Sequence, residues 1–518
     1  MFNRLQLKQV FRQLLVILGV LLLSRITKNW GFIFVSLYGV ACCIDRKIGQ
    51  AFVIFLLISF LPMVNPFIMP RYGQFAMIAR ISSMLMSLAL LASGVSRQGP
   101  HRLPLDLLFV YLFIAAFTSL QGYAPLISEL KVVNFLFLLL AISVGTRNLH
   151  KSPGDILFMR NAFLAIIAFT VYGSLLTRPF PHIAYLTSLR SAMANHGLDY
   201  AYEAVAVNNR LLFSGATAHS QFLGPMSACC LGWLLCDTWL VERRWNPLHV
   251  ALMLPIPIIA YLTRSRIALL TLVVTVLSSV FLFLPQTNLT KKAKTRFYCA
   301  VFITLFALLT TAIVSEFQNH TVSRWIRKTD DVTSDDRTLG NALTQSRQGT
   351  IAQNLRDFRR NRLFGSGFQV SQKMAGNKSS SSSLFSAPIE KGLLPLMVLG
   401  ESGILGSTVF VIFLISFFSV CKVKRYLATA TLFIVFLTTN MAEATFFSPA
   451  GAGGVFWSLL VIGGFTIDMA VVARRQSEQE MLYYSFQDST ESSDGDDEEL
   501  PAPADSEPIE EMDIDVNV

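Results

Sequence analysis

The sequence predicts an all-α polytopic membrane protein, and three observations lead to this fold class. Hydrophobic residues make up 53% of the 518 residues, whereas charged residues make up only 15%. The mean hydropathy is +0.51, and a soluble domain of this length exposes far more charge. Apolar stretches recur with short gaps, and several, such as 75–95 and 267–284, are long enough to cross a hydrocarbon core of about 30 Å.

The apolar stretches give 14 provisional crossings, of which the first two are short, so we expect about 12–14 transmembrane helices. The predicted crossings are 13–24, 30–43, 48–64, 75–95, 105–120, 131–146, 156–176, 211–241, 248–262, 267–284, 297–315, 403–421, 426–440 and 452–473.

Basic residues in the short loops predict the orientation. With these crossings, nearly all such loops fall on one side: Arg46/Lys47, Arg97/Arg102, Arg147/Lys151, Arg243/Arg244, Lys291–Arg296, Lys422–Arg425 and Arg474/Arg475. Because cytoplasmic loops are enriched in Lys and Arg, this side is predicted to be the cytoplasm of a bacterial inner membrane, with both termini there. The stretch Arg25–Lys28 falls on the other side and breaks the pattern mildly.

The crossings and loops divide the chain into six segments. These are N-terminal helices at 1–176, an outer loop at 177–210, central helices at 211–315, a large basic periplasmic loop at 316–387, C-terminal helices at 388–475 and a tail at 476–518. The tail holds 15 acidic residues and no Lys or Arg, so we expect it to be disordered and cytoplasmic. It is either an interaction segment or a dispensable solvated extension.

The large outer loop carries the most informative chemistry. Its segment Ser346–Asn361 has helical character, which would place Arg356, Arg359 and Arg360 on one face. Guanidinium groups are flat forks of donors that suit phosphate. Gly365 and Gly367 then allow a tight turn whose amides could hold an anion. The alternative is a solvated basic loop near lipid headgroups.

Cysteines and histidines give no sign of a metal site or cofactor. The seven cysteines sit in or beside apolar runs, and the seven histidines are scattered. Nothing in their spacing indicates a disulfide framework or a Cys/His ligand set. We therefore expect chemistry that uses neither a metal nor a cofactor.

Four stretches in order resemble the O-antigen ligase/polymerase family. Arg210 to Gly224 has an Arg, a Gly and then a polar residue before Leu-Gly, and Thr263–Arg266 has a Ser-Arg helix start. Arg347 to Gly367 has an Arg, a helix and then Asn-Arg-Leu-Phe-Gly-Ser-Gly, with Arg362 where the family has proline. Glu401 to Gly406 reads Glu-Ser-Gly-Ile-Leu-Gly. Together the stretches cover about 210–406.

The resemblance implies a glycosyltransferase-C-like fold and a metal-independent glycosyltransferase. Its donor would be a glycan on undecaprenyl pyrophosphate, and its acceptor a sugar hydroxyl of a growing glycan or of lipid A core. The implied pyrophosphate ligands are Arg210, Arg347 and Arg356, of which Arg347 and Arg356 would be catalytic. Further candidate substrate-binding residues are His219, Gln221, Arg359, Arg360, Gly365, Gly367 and Glu443. For His219 the alternative is a satisfied residue at a helix end.

Polymerase and ligase differ in their acceptor, and one departure from the family favours the polymerase. Ligases of the family carry a His-Asn pair shortly before the Glu-x-Gly motif, whereas this chain has no histidine from Thr321 onward. Glu390 is then the nearest candidate base for the acceptor hydroxyl, and an ion pair with Lys391 or with a loop arginine is its alternative role.

The expected partners are membrane lipids, the lipid-linked glycan and other polysaccharide-assembly proteins, with no nucleic acid. A transporter or flippase is the rival class, although we see no internal repeat of the kind that transporters show.

Overall fold

The computed structural model describes residues 4–28, 30–70, 75–94, 101–147, 149–185, 212–286, 290–319, 348–370, 392–441 and 444–491. Within these ranges the regular structure is helical, and the only β-type pairing is an isolated antiparallel bridge between Val64 and Thr217. The prediction of an all-α protein is confirmed.

A helix overlaps each predicted crossing, and the helices are numbered in chain order. They are α1 Arg4–Thr27, α2 Trp30–Ile44, α3 Ile48–Phe60, α4 Phe75–Gly94, α5 Asp106–Ser119, α6 Pro125–Gly145, α7 Pro153–Ala168, α8 Pro181–Tyr185, α9 Ser220–Cys236, α10 Pro247–Met253, α11 Ile256–Leu262, α12 Arg266–Phe283, α13 Lys291–Asn319, α14 Gln348–Arg360, α15 Leu394–Lys424, α16 Leu427–Thr439, α17 Ala452–Phe456 and α18 Gly463–Glu491. Single π-helical segments continue α7 and α9 and join α17 to α18.

Several helices are suited to cross a membrane. In the described part of the chain, seven spans are long and apolar enough by length and composition, and five further apolar helices are shorter. Large apolar side chains point outward from them, with Phe113 77% exposed and Ile415 63% exposed. Apolar exposure of this kind fits a hydrocarbon surround. These helices indicate a multi-pass membrane protein, and the full number of crossings stays a prediction.

One end of the helices is built from the loops that the charge pattern predicts to be outer. Asn65, fully buried, donates from Nδ2 to the carbonyl oxygens of Ile183 (2.8 Å) and Gly215 (2.7 Å). The exceptional Arg25 also contacts this end, because its Nη1 donates to the carbonyl oxygen of Phe67 at 3.3 Å. A specific loop contact therefore accounts for the basic residue that breaks the charge pattern.

The other end holds a buried ionic network that the sequence interpretation missed. Arg160 in α7 donates to both carboxylate oxygens of Asp237, at 2.8 and 2.9 Å, and to Glu242 at 2.9 Å. His249 Nε2 lies 3.4 Å from Asp237 Oδ2, and its Nδ1 lies 2.9 Å from Thr238 Oγ1. Each ionisable group has a partner, so the network ties α7, α9 and α10 together.

A second buried carboxylate closes a helix end. Asp468 in α18 accepts hydrogen bonds from the backbone amides of Ala428 (3.0 Å) and Thr429 (2.9 Å) and from Thr429 Oγ1 (2.7 Å). The first amides of a helix have no partner inside it. Asp468 therefore caps the N-terminus of α16 from a neighbouring helix, because the residue before α16, Tyr426, provides no side-chain cap.

The C-terminal unit, Val472–Val518, is described by itself. Its helix continues through Glu491, and Arg474 pairs with Glu478 one turn later at 3.4 Å. The predicted start of the disordered tail at 476 therefore differs from the structure, because residues 476–491 contain no Gly or Pro and continue the helix. Residues 492–518 lie outside the described ranges.

Candidate functional site

Helix α14 forms as the sequence predicts and lies against α15. Its bounds, Gln348–Arg360, nearly match the predicted Ser346–Asn361. Asn354 and Asp357 are buried, and Gly400 permits the close approach, because a Cβ there would lie 3.1 Å from the Asn354 carbonyl oxygen. The arginines at 356, 359 and 360 are exposed, which agrees with the predicted shared face.

Two distant segments, 362–367 and 400–405, pair through their backbones. The amides of Ser366 and Gly367 donate to the carbonyl oxygens of Gly400 (2.9 Å) and Glu401 (3.0 Å). In return, the amides of Ile404 and Leu405 donate to the carbonyl oxygens of Arg362 (2.9 Å) and Leu363 (3.3 Å). These four bonds replace the bonds that an unbroken helix would make across this point.

The replacement is possible because α15 is kinked at Gly403. Gly403 has φ 62° and ψ −160°, a conformation that favours glycine. The predicted helix start at 403 agrees with this break, since α15 consists of two helices that meet at Gly403, the first beginning at Leu394 and the second following the glycine. Glu401 lies buried just before the second helix.

A third segment, 119–131, encloses the turn at 365–370 from the other side. Tyr123 N donates to the Ser366 carbonyl oxygen at 3.1 Å, and Ser128 Oγ donates to that of Phe368 at 2.8 Å. Lys131 Nζ donates to the Gln369 carbonyl oxygen at 2.8 Å. The turn is held on both sides, and its backbone is largely used in these contacts.

The expectation that the glycine turn holds an anion with its amides is contradicted. Gly365 N donates to the Asn361 carbonyl oxygen at 2.8 Å, and Ser366 and Gly367 donate to α15 as above. Phe368 N donates to Ser119 Oγ at 3.0 Å. The positive φ values of 73° at Gly365 and 99° at Gly367 confirm the tight turn, but the turn directs its amides into the protein.

A polar cavity of about 550 Å³ opens beside this turn. Its lining residues come from three segments: Gln121, Gly122, Tyr123, Asp357, Arg360, Asn361, Gly365 and Ser366. The Tyr123 hydroxyl donates to Asp357 Oδ1 at 2.9 Å, and Arg360 Cζ lies 5.1 Å from the centre of the Tyr123 ring. Burial and the bond to Asp357 raise the pKa of Tyr123, so the phenol stays a donor at neutral pH.

Two buried polar atoms of the cavity wall have no hydrogen-bond partner among the described residues. They are Asp357 Oδ2 and Ser366 Oγ, on side chains whose residues are 5% and 6% exposed. Leaving such groups unpaired costs about 1–3 kcal/mol each. A ligand that supplies hydrogen bonds to these atoms would recover this energy.

The predicted site residues divide into four groups. Arg360, Gly365 and the unpredicted Asp357 line the cavity, whereas Arg356 and Arg359 are exposed on α14 outside its lining. His219 caps α9, because its Nδ1 accepts from Phe222 N at 3.0 Å. This is the helix-end role that was the alternative to substrate binding. Neither His219 nor Gln221 lines the cavity. Arg210, Arg347, Glu390 and Glu443 lie outside the described residues.

Tyr123, Gln121 and Asp357 are the residues that sequence reasoning missed. Asp357 is the only acidic residue of α14, which was a usable signal beside four neighbouring arginines. Gln121 and Tyr123 stand in a short loop between two apolar runs. The contact of Tyr123 with Asp357 spans 234 positions, and no local sequence pattern predicts it.

Comparison with known proteins gives no match, whether with family models, curated proteins or solved structures. The class that the fold defines is a multi-pass, all-helical membrane protein.

Proposed function

We propose that this protein is a membrane glycosyltransferase. In this proposal it moves a glycan from undecaprenyl pyrophosphate to a sugar hydroxyl at the periplasmic face and polymerises the repeat units of a surface or exported polysaccharide. The observation that carries this proposal is the cavity that Arg360 and Asp357 both line. It lies at the end of the helices opposite the short basic loops that are predicted to be cytoplasmic. Two of the segments that resemble the ligase/polymerase family, 347–367 and 401–406, build and brace its wall.

The arginine face of α14 supplies the electrostatics that this reaction needs. The bond from the sugar to the pyrophosphate breaks as the bond to the acceptor oxygen forms, so negative charge builds on the departing pyrophosphate. Arg356 and Arg359 are solvent-exposed on α14 and can bind phosphate oxygens, and Arg360 can do so when it leaves the Tyr123 ring. Removing one such group typically lowers the rate about 10²–10³-fold.

The acceptor hydroxyl also has to lose its proton. Glu390 remains our sequence-based candidate for that step, and Arg347 for a further pyrophosphate ligand. In this scheme the proton passes to a carboxylate and the pyrophosphate leaves as the undecaprenyl diphosphate anion, so charge and atoms balance without a co-reactant.

Deletion of the protein in its host tests the proposal. We expect the deletion strain to carry surface glycans of single repeat units. The parental gene should restore long glycans, whereas an Arg356→Ala variant present at equal membrane levels should not. Long unattached chains on the lipid carrier would indicate a ligase instead. Unchanged glycans together with solute movement across liposomes by the purified protein would reject the enzyme in favour of a transporter.

A further inference from the structure

The cavity and the exposed arginines Arg356 and Arg359 of α14 differ in charge. The eight lining residues of the cavity include one cation, Arg360, and one anion, Asp357. A pyrophosphate placed inside would meet the buried carboxylate of Asp357, and like charges repel strongly where water is excluded. Arg356 and Arg359 offer phosphate an exposed cationic surface without that carboxylate.

The polar atoms of the cavity suit hydroxyl groups. Asp357 Oδ2 accepts hydrogen bonds, and Ser366 Oγ both donates and accepts. Gln121 and Asn361 also line the cavity with carboxamide groups, although Asn361 Oδ1 already accepts from Phe364 N at 3.2 Å. A volume of about 550 Å³ falls in the range of small-molecule sites, which is about 300–1,000 Å³.

Asp357 Oδ2 and Ser366 Oγ are closed off from solvent, so a ligand reaches them only when a neighbouring side chain moves. Tyr123 is held by Asp357 and the turn by its backbone bonds. Arg360 is the long, exposed side chain of the lining and lies over the Tyr123 ring. Because exposed side chains change rotamer rapidly, we take Arg360 to be the side chain that moves, toward a bound phosphate.

We infer that this cavity is a subsite for an uncharged, hydroxyl-bearing sugar ring, in which Asp357 accepts a hydrogen bond from a ring hydroxyl. The inference rests on the proposed function for the identity of its ligand. The sugar would contact the cavity wall formed by Tyr123, Asp357 and Ser366. The pyrophosphate would bind Arg356 and Arg359 on the exposed side of α14.

A binding experiment with the full chain in nanodiscs tests the inference. The probes are the repeat-unit oligosaccharide cut from the host polysaccharide and inorganic pyrophosphate, with affinities from titration by saturation-transfer NMR. Asp357→Asn replaces an ionic acceptor with a neutral amide, so we expect about tenfold weaker oligosaccharide binding and no loss of pyrophosphate binding. Arg356→Ala is expected to do the reverse.

Two further variants keep the test sharp. Ser366→Ala removes the other unpartnered atom without breaking a bond found in the described residues, and we expect a loss of about threefold. Asp106→Asn makes the same chemical change at an exposed carboxylate that pairs with Arg102 at 3.2 Å, and it should leave both affinities unchanged. Thermal unfolding of each variant shows whether it is folded.

The outcomes separate this inference from the proposed function. Oligosaccharide binding that Asp357→Asn weakens supports the subsite even if the protein transfers no glycan. In a transfer assay, a raised KM for free oligosaccharide assigns the subsite to the acceptor, and a raised KM for the lipid-linked donor assigns it to the donor glycan. Equal oligosaccharide affinity in Asp357→Asn and the parental protein, or no binding by the parental protein, overturns the inference even if transfer is intact.

Discussion

Gly403→Ala is the substitution that tests the architecture of the site most sharply. Gly403 has a positive φ, and a Cβ there would overlap the Leu363 carbonyl oxygen. That carbonyl accepts from Leu405 N in the pairing of 362–367 with 400–405. An alanine therefore has to push the two segments apart or straighten α15, and either movement opens the wall of the cavity.

The expected cost follows from two contributions. The backbone conformation of Gly403 is essentially restricted to glycine and costs a residue with a Cβ about 1–3 kcal/mol. The overlap also endangers the four backbone hydrogen bonds between the segments, each with a net contribution of about 1 kcal/mol. If half of these bonds are lost, the free energy of unfolding falls by about 3–5 kcal/mol.

The assay is reversible unfolding of the purified protein in mixed micelles, with Gly349→Ala as the matched control. Gly349 lies in α14, and a Cβ there meets nothing within 4 Å. This control should keep or raise stability, by up to about 1 kcal/mol, because alanine is the better helix former. If Gly403→Ala is as stable as the parental protein and binds the same probes, the kink and its pairing do not hold the site together.

Three further predictions concern residues away from the cavity. Asp468→Ala removes the cap of α16 and should lower the free energy of unfolding by about 2–4 kcal/mol, and parental stability would deny its capping role. His219→Ala should cost about 1 kcal/mol, whereas His219→Asn keeps a cap and should retain stability and transfer; loss of transfer in folded His219→Asn would make the imidazole catalytic. Truncation after Glu491 should leave transfer intact at equal membrane levels, and a loss would reveal a role for the acidic tail.

The parts of the structure that depend on local pattern were predictable. The helical character of 346–361 located α14, whose described residues are Gln348–Arg360, and the apolar runs located the membrane helices. The pairing of 362–367 with 400–405 was not predictable, because backbone bonds between distant segments leave no periodicity in side chains. The helix start at Gly403 was predictable, whereas the helix that precedes it from Leu394 was not, because no crossing was predicted for 394–402.

Buried ionic partners were also beyond the sequence. Arg160 and Asp237 are 77 positions apart, and each stands as a single charge within an apolar run. Only their meeting shows that the two charges pair with one another. The contact of Tyr123 with Asp357 was equally unpredictable. It brings segments 121–123 and 357–361 together around a cavity lined by one cation, Arg360, and one anion, Asp357.

Reconstitution of transfer tests the central claim most directly. The purified protein is placed in liposomes with a lipid-linked repeat unit, and the glycan products are separated by length. We predict chains longer than one repeat unit from the parental protein, a loss of at least about a hundredfold in rate with Arg356→Ala, and partial recovery with Arg356→Lys. No elongation from an intact donor, or a parental rate with Arg356→Ala, would contradict the account.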